Sequence, residues 1–278
     1  MEIRKLETEE KQNTKKLYEE VFSEDSKSFV DYYYEEKLKD NQIYAVEEDG
    51  EIQAMLHLNP YELAVNGSKK DVNYIVAVAT RESYRKRGYM AGLLKQALND
   101  MYADGETFTF LMPASESIYL PFDFRTVCEQ NRSYYDPEEE TEEGVVITDA
   151  VNADAEEMAA YMEAQLTQSY QVYAKRSTAY YERLIKEYAS DGGILKIYKK
   201  DGKYQDRGRS GRGRRRQTKD HDPYRRCQKN ADVIAPAIIY GYMLYCNGSN
   251  YRREQSLCDD HGNRILGCDA DGWKAGEQ

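Results

Sequence analysis

Cysteine is scarce. Of the five present, only Cys128 falls within the first 203 residues. An odd number without paired spacing excludes the disulfide framework of a small secreted domain. Long apolar runs are also missing. No stretch nears the roughly 20 residues that span a bilayer, and Met1-Glu2-Ile3-Arg4-Lys5-Leu6 offers no apolar segment of signal-peptide length. The expectation is a cytoplasmic protein with no membrane partner. Positive charge is in deficit: 39 Lys and Arg against 50 Asp and Glu leave a net −11. Such a balance argues against a general affinity for nucleic acid and suits cationic substrates. What is there is 40% hydrophobic and 32% charged over 278 residues, the composition of a globular protein with room for two domains.

Up to about Lys203 the pattern is that of an α/β (α+β) protein. Helical apolar spacing appears in Leu17, Val21 and Phe22, and again in Met90, Leu93, Leu94, Ala97 and Leu98. Strand-like runs cover Gln42 to Val46, Ile52 to Leu58, Tyr74 to Val78 and Phe108 to Met112. Asp49-Gly50 between the first two is a hairpin signal. Residues 1–136 read as one complete unit. Asp136-Pro137 and the acidic run Glu138 to Glu143 read as a linker. A second unit, over 137–203, opens on Gly144 to Thr148. It continues through helices near Ala153 to Leu166 and Thr178 to Tyr188, then a strand at Ile194 to Lys199.

After Tyr204 the composition breaks. The first 203 residues hold eight arginines and the last 75 hold eleven, six of them between Arg207 and Arg216. Three readings of the tail, 204–278, follow. The glycine-interleaved arginines suit a disordered phosphate- or RNA-binding segment. Cys246, Cys258, His261 and Cys268 supply metal-ligand atoms, but their spacing matches no recurrent zinc pattern, and no metal is expected. The third reading, a stretch out of frame, is preferred. Reading Gln217 to Lys229 one nucleotide later permits a Met-, Thr-, Ile-, Leu- and Ala-rich run suited to a buried strand.

The segment richest in chemistry runs Tyr74-Ile75-Val76-Ala77-Val78-Ala79-Thr80-Arg81-Glu82-Ser83-Tyr84-Arg85-Lys86-Arg87-Gly88-Tyr89-Met90. A Val- and Ala-rich strand ends in a polar loop, and a basic run and a glycine then open an amphipathic helix. Free N–H groups at that helix start, together with the helix dipole, make an anion site. Gly88 allows close backbone approach, and Arg85, Lys86 and Arg87 add charge. The expected ligand is a pyrophosphate. A solvated basic patch before a surface helix is the plainer alternative for the triplet alone.

Arg-x-x-Gly opening a helix directly after a Val-x-Val strand resembles the acetyl-CoA motif of the GNAT N-acetyltransferase superfamily, with Met90 where a small residue is usual. The Tyr-Arg-x-Arg-Gly-x-Met version is followed by Pro113-Ala114-Ser115-Glu116-Ser117-Ile118-Tyr119-Leu120-Pro121-Phe122-Asp123-Phe124 and preceded by His57-Leu58-Asn59-Pro60-Tyr61. Together these are similar to the enhanced-intracellular-survival (Eis-like) branch over roughly residues 1–200. The resemblance implies the GNAT fold in tandem, with an incomplete and non-catalytic second copy. It implies acetyl-CoA as cofactor, held by Val78, Ala79 and Thr80, by Arg85, Lys86, Arg87, Gly88, Tyr89, Met90 and Ala91, and by Ala114 and Ser115. It also implies Tyr119 as the general acid that protonates the departing thiolate.

An alkylammonium acceptor has a pKa near ~10.4 and must lose a proton before attack. The branch takes its base from a C-terminal carboxylate on a third domain that this sequence does not match. His57, Glu62 and Glu116 are substitutes among which the sequence does not choose. The implied activity is acetyl transfer to a primary amine (aminoglycoside, polyamine or lysine type, small molecule or peptide), with a homo-oligomer as a further implication. The alternative is a non-catalytic acetyl-CoA-binding regulator.

Overall fold

The computed structural model describes residues 2–127, 143–204 and 243–246. The tail readings that concern 205–242 and 247–278, and the acidic linker through Glu142, lie outside the described residues.

Strand β1 (Ile3–Lys5) is followed by a 3-10 turn over Thr8–Thr14, then α1 (Lys15–Val21) and α2 (Lys27–Glu36). Ser26 caps α2 by accepting the Phe29 N–H at 3.1 Å, a contact that contributes about 1 kcal/mol. Strands β2 (Gln42–Glu48), β3 (Glu51–Val65) and β4 (Ser68–Thr80) form an antiparallel meander. Its two tight turns, Asp49-Gly50 and Asn66-Gly67, hold both central residues at positive φ, the geometry that lets two twisted strands reverse direction.

The sequence suggests a third strand ending at Leu58, yet β3 runs seven residues further. Pro60 is tolerated because β2 stops pairing at Gln42 opposite Leu58, so at Pro60 the β2 side of β3 has no ladder to break.

Helix α3 (Tyr89–Ala103) follows β4, then come β5 (Phe108–Leu111), the single-turn α4 (Glu116–Tyr119) and β6 (Arg125–Thr126). Helix α3 covers one sheet face through Leu93, Leu94, Ala97 and Met101, packed on Tyr44, Leu56, Leu58 and Ile75. Helices α1 and α2 cover the other through Leu17, Tyr18, Val30, Tyr33 and Tyr34, packed on Ile43, Ala45 and Met55.

The second segment holds β7 (Val145–Asp149), α5 (Ala155–Ser169), β8 (Val172–Ala174), α6 (Thr178–Ser190), β9 (Lys196–Lys200) and β10 (Lys203–Tyr204). Strands β10, β9 and β7 make a small sheet of their own, while β8 adds to the main sheet beside Leu63–Val65 of β3. A last strand, β11 (Met243–Cys246), lies between β5 and β6 in that main sheet. The first unit therefore draws strands from beyond residue 136.

Candidate functional site

Strands β4 and β5 run parallel but pair only at Tyr74 with Phe110 and Ile75 with Leu111. Their closed end is latched. Asn73 donates its backbone N–H to Glu106 Oε2 at 3.0 Å and its side-chain amide to Oε1, while Thr109 Oγ1 donates to the Asn73 carbonyl at 2.6 Å. Burial pushes the Glu106 carboxyl above its usual range, against the two Asn73 donors. Beyond Ile75 the strands part, and β4 continues through Val76, Ala77, Val78, Ala79 and Thr80 with no strand on its β5 side among the described residues. The backbone groups along that edge line a wedge.

A bulge accompanies the parting. Met55 faces Ala79 and His57 faces Val76, so Leu56 alone stands opposite both Ala77 and Val78. Ala77 has φ +50°, a left-handed conformation that an alanine adopts only under compulsion from its surroundings. Val76 and Ala77 both pack on the α1–α2 side, as happens where one extra residue is squeezed into a strand. No residue pattern announces this bulge at Ala77. An alanine in a Val-Ala-Val-Ala run looks like ordinary strand.

The wedge leads into the loop before α3. Lys86 at φ +62° and Gly88 at φ +83° alternate with ordinary backbone, and α3 begins on Tyr89 without a side-chain cap. The N–H groups from Lys86 to Ala91 meet no acceptor among the described residues. Successive unpaired donors at the start of a 15-residue helix form a concave anion cradle.

Arg85, Lys86 and Arg87 are exposed. Arg85 Nε reaches the Thr80 carbonyl at 3.3 Å, and Arg87 donates to Ser83 O at 3.1 Å with its guanidinium 4.4 Å from the Tyr84 ring centre. The loop is tied to the β2–β3 turn by Tyr84 Oη on Asp49 Oδ2 at 2.6 Å and by Tyr89 Oη on Glu48. Arg81 adds bonds to Glu20, Glu51 and Gln53. These anchors carry no motif, because their partners lie 28 or more residues away.

The strand and loop residues singled out from the sequence thus form one continuous strip, Val78 to Thr80 and Arg85 to Ala91. Ala114 and Ser115 follow the end of β5, on the other arm of the wedge, and both are exposed. Tyr119 is buried, with its ring 5.8 Å from that of Phe124. It shares an apolar cluster with Tyr89 and Leu111, against which Val78 and Met90 also pack. Met90, larger than the motif's usual residue, therefore fills core space.

The three candidate bases are not brought together. Glu62 is bound to Lys69 at 2.5 Å and lies 3.7 Å from Lys175. The Lys69 hydrogen bond holds its carboxyl below the usual range. Glu116 opens α4 and accepts the Thr126 hydroxyl at 2.5 Å. His57 is enclosed: both faces of β3 are covered there and His57 is 0% exposed. Burial, aided by nearby Lys11, pushes its pKa down to about 3, so the imidazole is neutral.

Among the described residues, no group of His, Cys, Asp and Glu could hold a metal ion. No helix there is long and apolar enough to cross a membrane.

Residues 2–127 match the family model described as an acetyltransferase (GNAT) domain. No curated protein sequence matches the chain. Among solved structures, the chain is similar to a conserved protein of unknown function from Enterococcus faecalis V583, a probable N-acyltransferase. The identity is 17% and the TM-score 0.57, over 73% of this chain and 53% of that one. It is also similar to Eis1 from Mycobacterium abscessus, at 16% identity and TM-score 0.52, over 73% and 52% of the two chains. The chain spans about half the length of each. The fold is the mixed α/β GNAT fold, and it is residues 2–127 that match the acetyltransferase domain model.

Proposed function

We propose that this chain transfers an acetyl group to a primary amine by direct attack in a ternary complex, and that it is of the Eis-like kind. The observation that carries the proposal is the wedge past Ile75 running into the unpaired N–H groups of Lys86 to Ala91. Acetyl-CoA, when bound, supplies the acetyl group as a thioester.

Backbone groups of Val78, Ala79 and Thr80 hold the arm of the cofactor, with Ala114 and Ser115 flanking it. The cradle from Lys86 to Ala91 takes the pyrophosphate, and exposed Arg85, Lys86 and Arg87 add positive charge. Tyr119 gives its hydroxyl proton to the departing thiolate. Its burial beside Phe124 fixes the ring, so the hydroxyl is positioned before the reaction begins. The acceptor is an aminoglycoside, a polyamine or a lysine side chain. Residues 137–203 are the start of a second, non-catalytic GNAT-like unit: strand, helix, helix and strand come in the same order as at the start of the first, with the short β8 inserted between the helices, and without an Arg-x-x-Gly helix opening.

The test has two stages. Melting of the 1–278 chain should rise with acetyl-CoA, by about 2.7 kcal/mol of stability at a hundred times the dissociation constant. Thiol release should then appear with kanamycin, spermidine or a lysine peptide. Tyr119→Phe should keep the melting shift and lower kcat about a hundredfold. A shift without amine-dependent thiol release favours the regulatory alternative, and no shift at all sinks the proposal.

A further inference from the structure

The segment that carries Ala114, Ser115 and Tyr119 leaves the main sheet after Leu111 and rejoins it at Arg125. Whatever fixes its two feet decides where those residues stand. On the β4 side, β5 is held at only two positions, Tyr74 with Phe110 and Ile75 with Leu111. Strand β6 is two residues long, and it does not pair with β5.

Strand β11 lies between them and grips both. It pairs along the whole of β5, from Met243 with Leu111 to Cys246 with Phe108. On its other edge Met243 pairs with Thr126 and Leu244 with Arg125. Two rungs therefore cross three strands: Leu111, Met243 and Thr126 form one, and Phe110, Leu244 and Arg125 form the other. Neighbouring strands stand about 4.8 Å apart, so the rungs hold the two feet of residues 112–124 at roughly twice that spacing. Among the described residues β6 has no other strand partner. Without β11 it would have no ladder, and β5 would keep only its two positions on β4.

The rungs reach the proposed general acid through packing. Tyr119 shares its apolar cluster with Leu111, itself a rung residue, and with Phe124, the residue just before β6. The Phe124 ring is 5.8 Å from that of Tyr119, and Phe124 is fully buried. A shift of either foot thus moves the floor on which Tyr119 rests.

The origin of the strand is unexpected. It lies outside residues 2–127, the stretch that matches the domain model, and beyond Tyr204, where the composition breaks. Chain entropy allows so distant a source, because the cost of closing a loop grows only with the logarithm of its length. A stretch read out of frame would have no reason to complete a ladder on both of its edges.

We propose that Met243–Cys246 is a positioning element of the acetyl-transfer site. By clamping β5 to β6 it sets Ala114 and Ser115 against the arm of the cofactor and Tyr119 against the departing thiolate. The inference rests on the acetyltransferase reading. The cradle from Lys86 to Ala91 and the open edge of β4 belong to the other arm of the wedge and do not pair with β11. Loss of the clamp should therefore weaken the chemical step more than cofactor binding.

Hydrogen exchange of the full chain, read by mass spectrometry, tests the clamp directly. Peptides covering 243–246 should be protected as strongly as those covering β5. Saturating acetyl-CoA should slow their exchange further and leave the small sheet of β7, β9 and β10 unchanged. Exchange over 243–246 at the rate of a free chain overturns the proposal, as does a cofactor effect over 78–91 that does not reach 243–246. A second arm compares Leu244→Pro, which removes a ladder N–H from a residue paired on both edges, with Leu244→Ala, which keeps it. The amine is whichever of kanamycin, spermidine and a lysine peptide releases most thiol. Leu244→Pro should lower kcat about a hundredfold, the scale of a misplacement of about 1 Å, with a much smaller rise in KM for acetyl-CoA. Leu244→Ala should keep kcat. An unchanged kcat in the proline variant, or an equal loss in the alanine variant, overturns the positioning role. Failure of the acetyltransferase reading shows differently, as no effect of acetyl-CoA on exchange anywhere in the chain and no thiol release.

Discussion

The two ends of β4 do opposite things. At the closed end Asn73, Glu106 and Thr109 are hydrogen-bonded together, and the rings of Tyr61, Tyr74 and Phe110 meet edge-on or tilted at 5.1–5.6 Å between centres. At the open end the strand bulges, loses its neighbour and runs into a loop whose N–H groups are unpaired. A wedge needs both. Without a latch, parted strands would peel further; without the bulge, pairing would zip on past Ile75.

Helix starts show the same division. Ser26 and Ser177 satisfy the first turns of α2 and α6 with their side chains, whereas Gly88 leaves that of α3 unsatisfied. Stability is concentrated where polar groups are paired, and binding capacity where they are not.

The sharpest way to break this contrast is at Gly88. A Cβ there meets nothing within 4 Å, although φ is +83°, and aspartate tolerates that region better than most residues. Gly88→Asp should therefore melt close to the unmodified chain. It also sets a carboxylate where phosphates would sit, so the acetyl-CoA shift of about 2.7 kcal/mol should vanish. A variant that melts normally and still shifts by that amount would move the cofactor elsewhere.

The closed end should respond in the opposite sense. Asn73→Ala removes the side-chain donor to Glu106, whose carboxyl burial already disfavours as an anion. The expected loss is about 2 kcal/mol of folding stability, read by denaturant titration, with the acetyl-CoA shift retained in whatever remains folded. Because the Glu106 pKa is raised on folding, ionising it opposes the fold. This part of stability is present at low pH and declines as pH rises through the raised value. Glu106→Ala should remove that slope.

How much of this was legible beforehand follows the range of the interactions. The Val-Ala strand, Arg85 to Gly88, the hairpin at Asp49-Gly50 and helix α3 are local, so their residues announce them. The latch joins Asn73 to Glu106, and the loop anchors join Tyr84 to Asp49 and Tyr89 to Glu48. Such pairs have no spacing to recognise. His57 was visible as a candidate base, but its burial depends on α2 packing across β3, which no single strand pattern reveals. Pro60 misled in the other direction: it reads as a strand end, and it sits in mid-strand because β2 stops short.

The smallest effect is the most discriminating test of the bulge. At Ala77, glycine would relieve a left-handed alanine of about 1–2 kcal/mol. It would give back about 0.8 kcal/mol for the buried methyl and about 0.5–1 kcal/mol for added freedom in the unfolded chain. Ala77 is 8% exposed, so the burial term applies nearly in full. These terms cancel, and Ala77→Gly should melt within about 0.5 kcal/mol of the unmodified chain. Valine at the same position is β-branched and resists positive φ strongly, so Ala77→Val should destabilise by about 2 kcal/mol or more. If valine were as well tolerated as glycine, β4 would run straight at Ala77, Leu56 would face one residue rather than two, and the parting of β4 from β5 would need another cause.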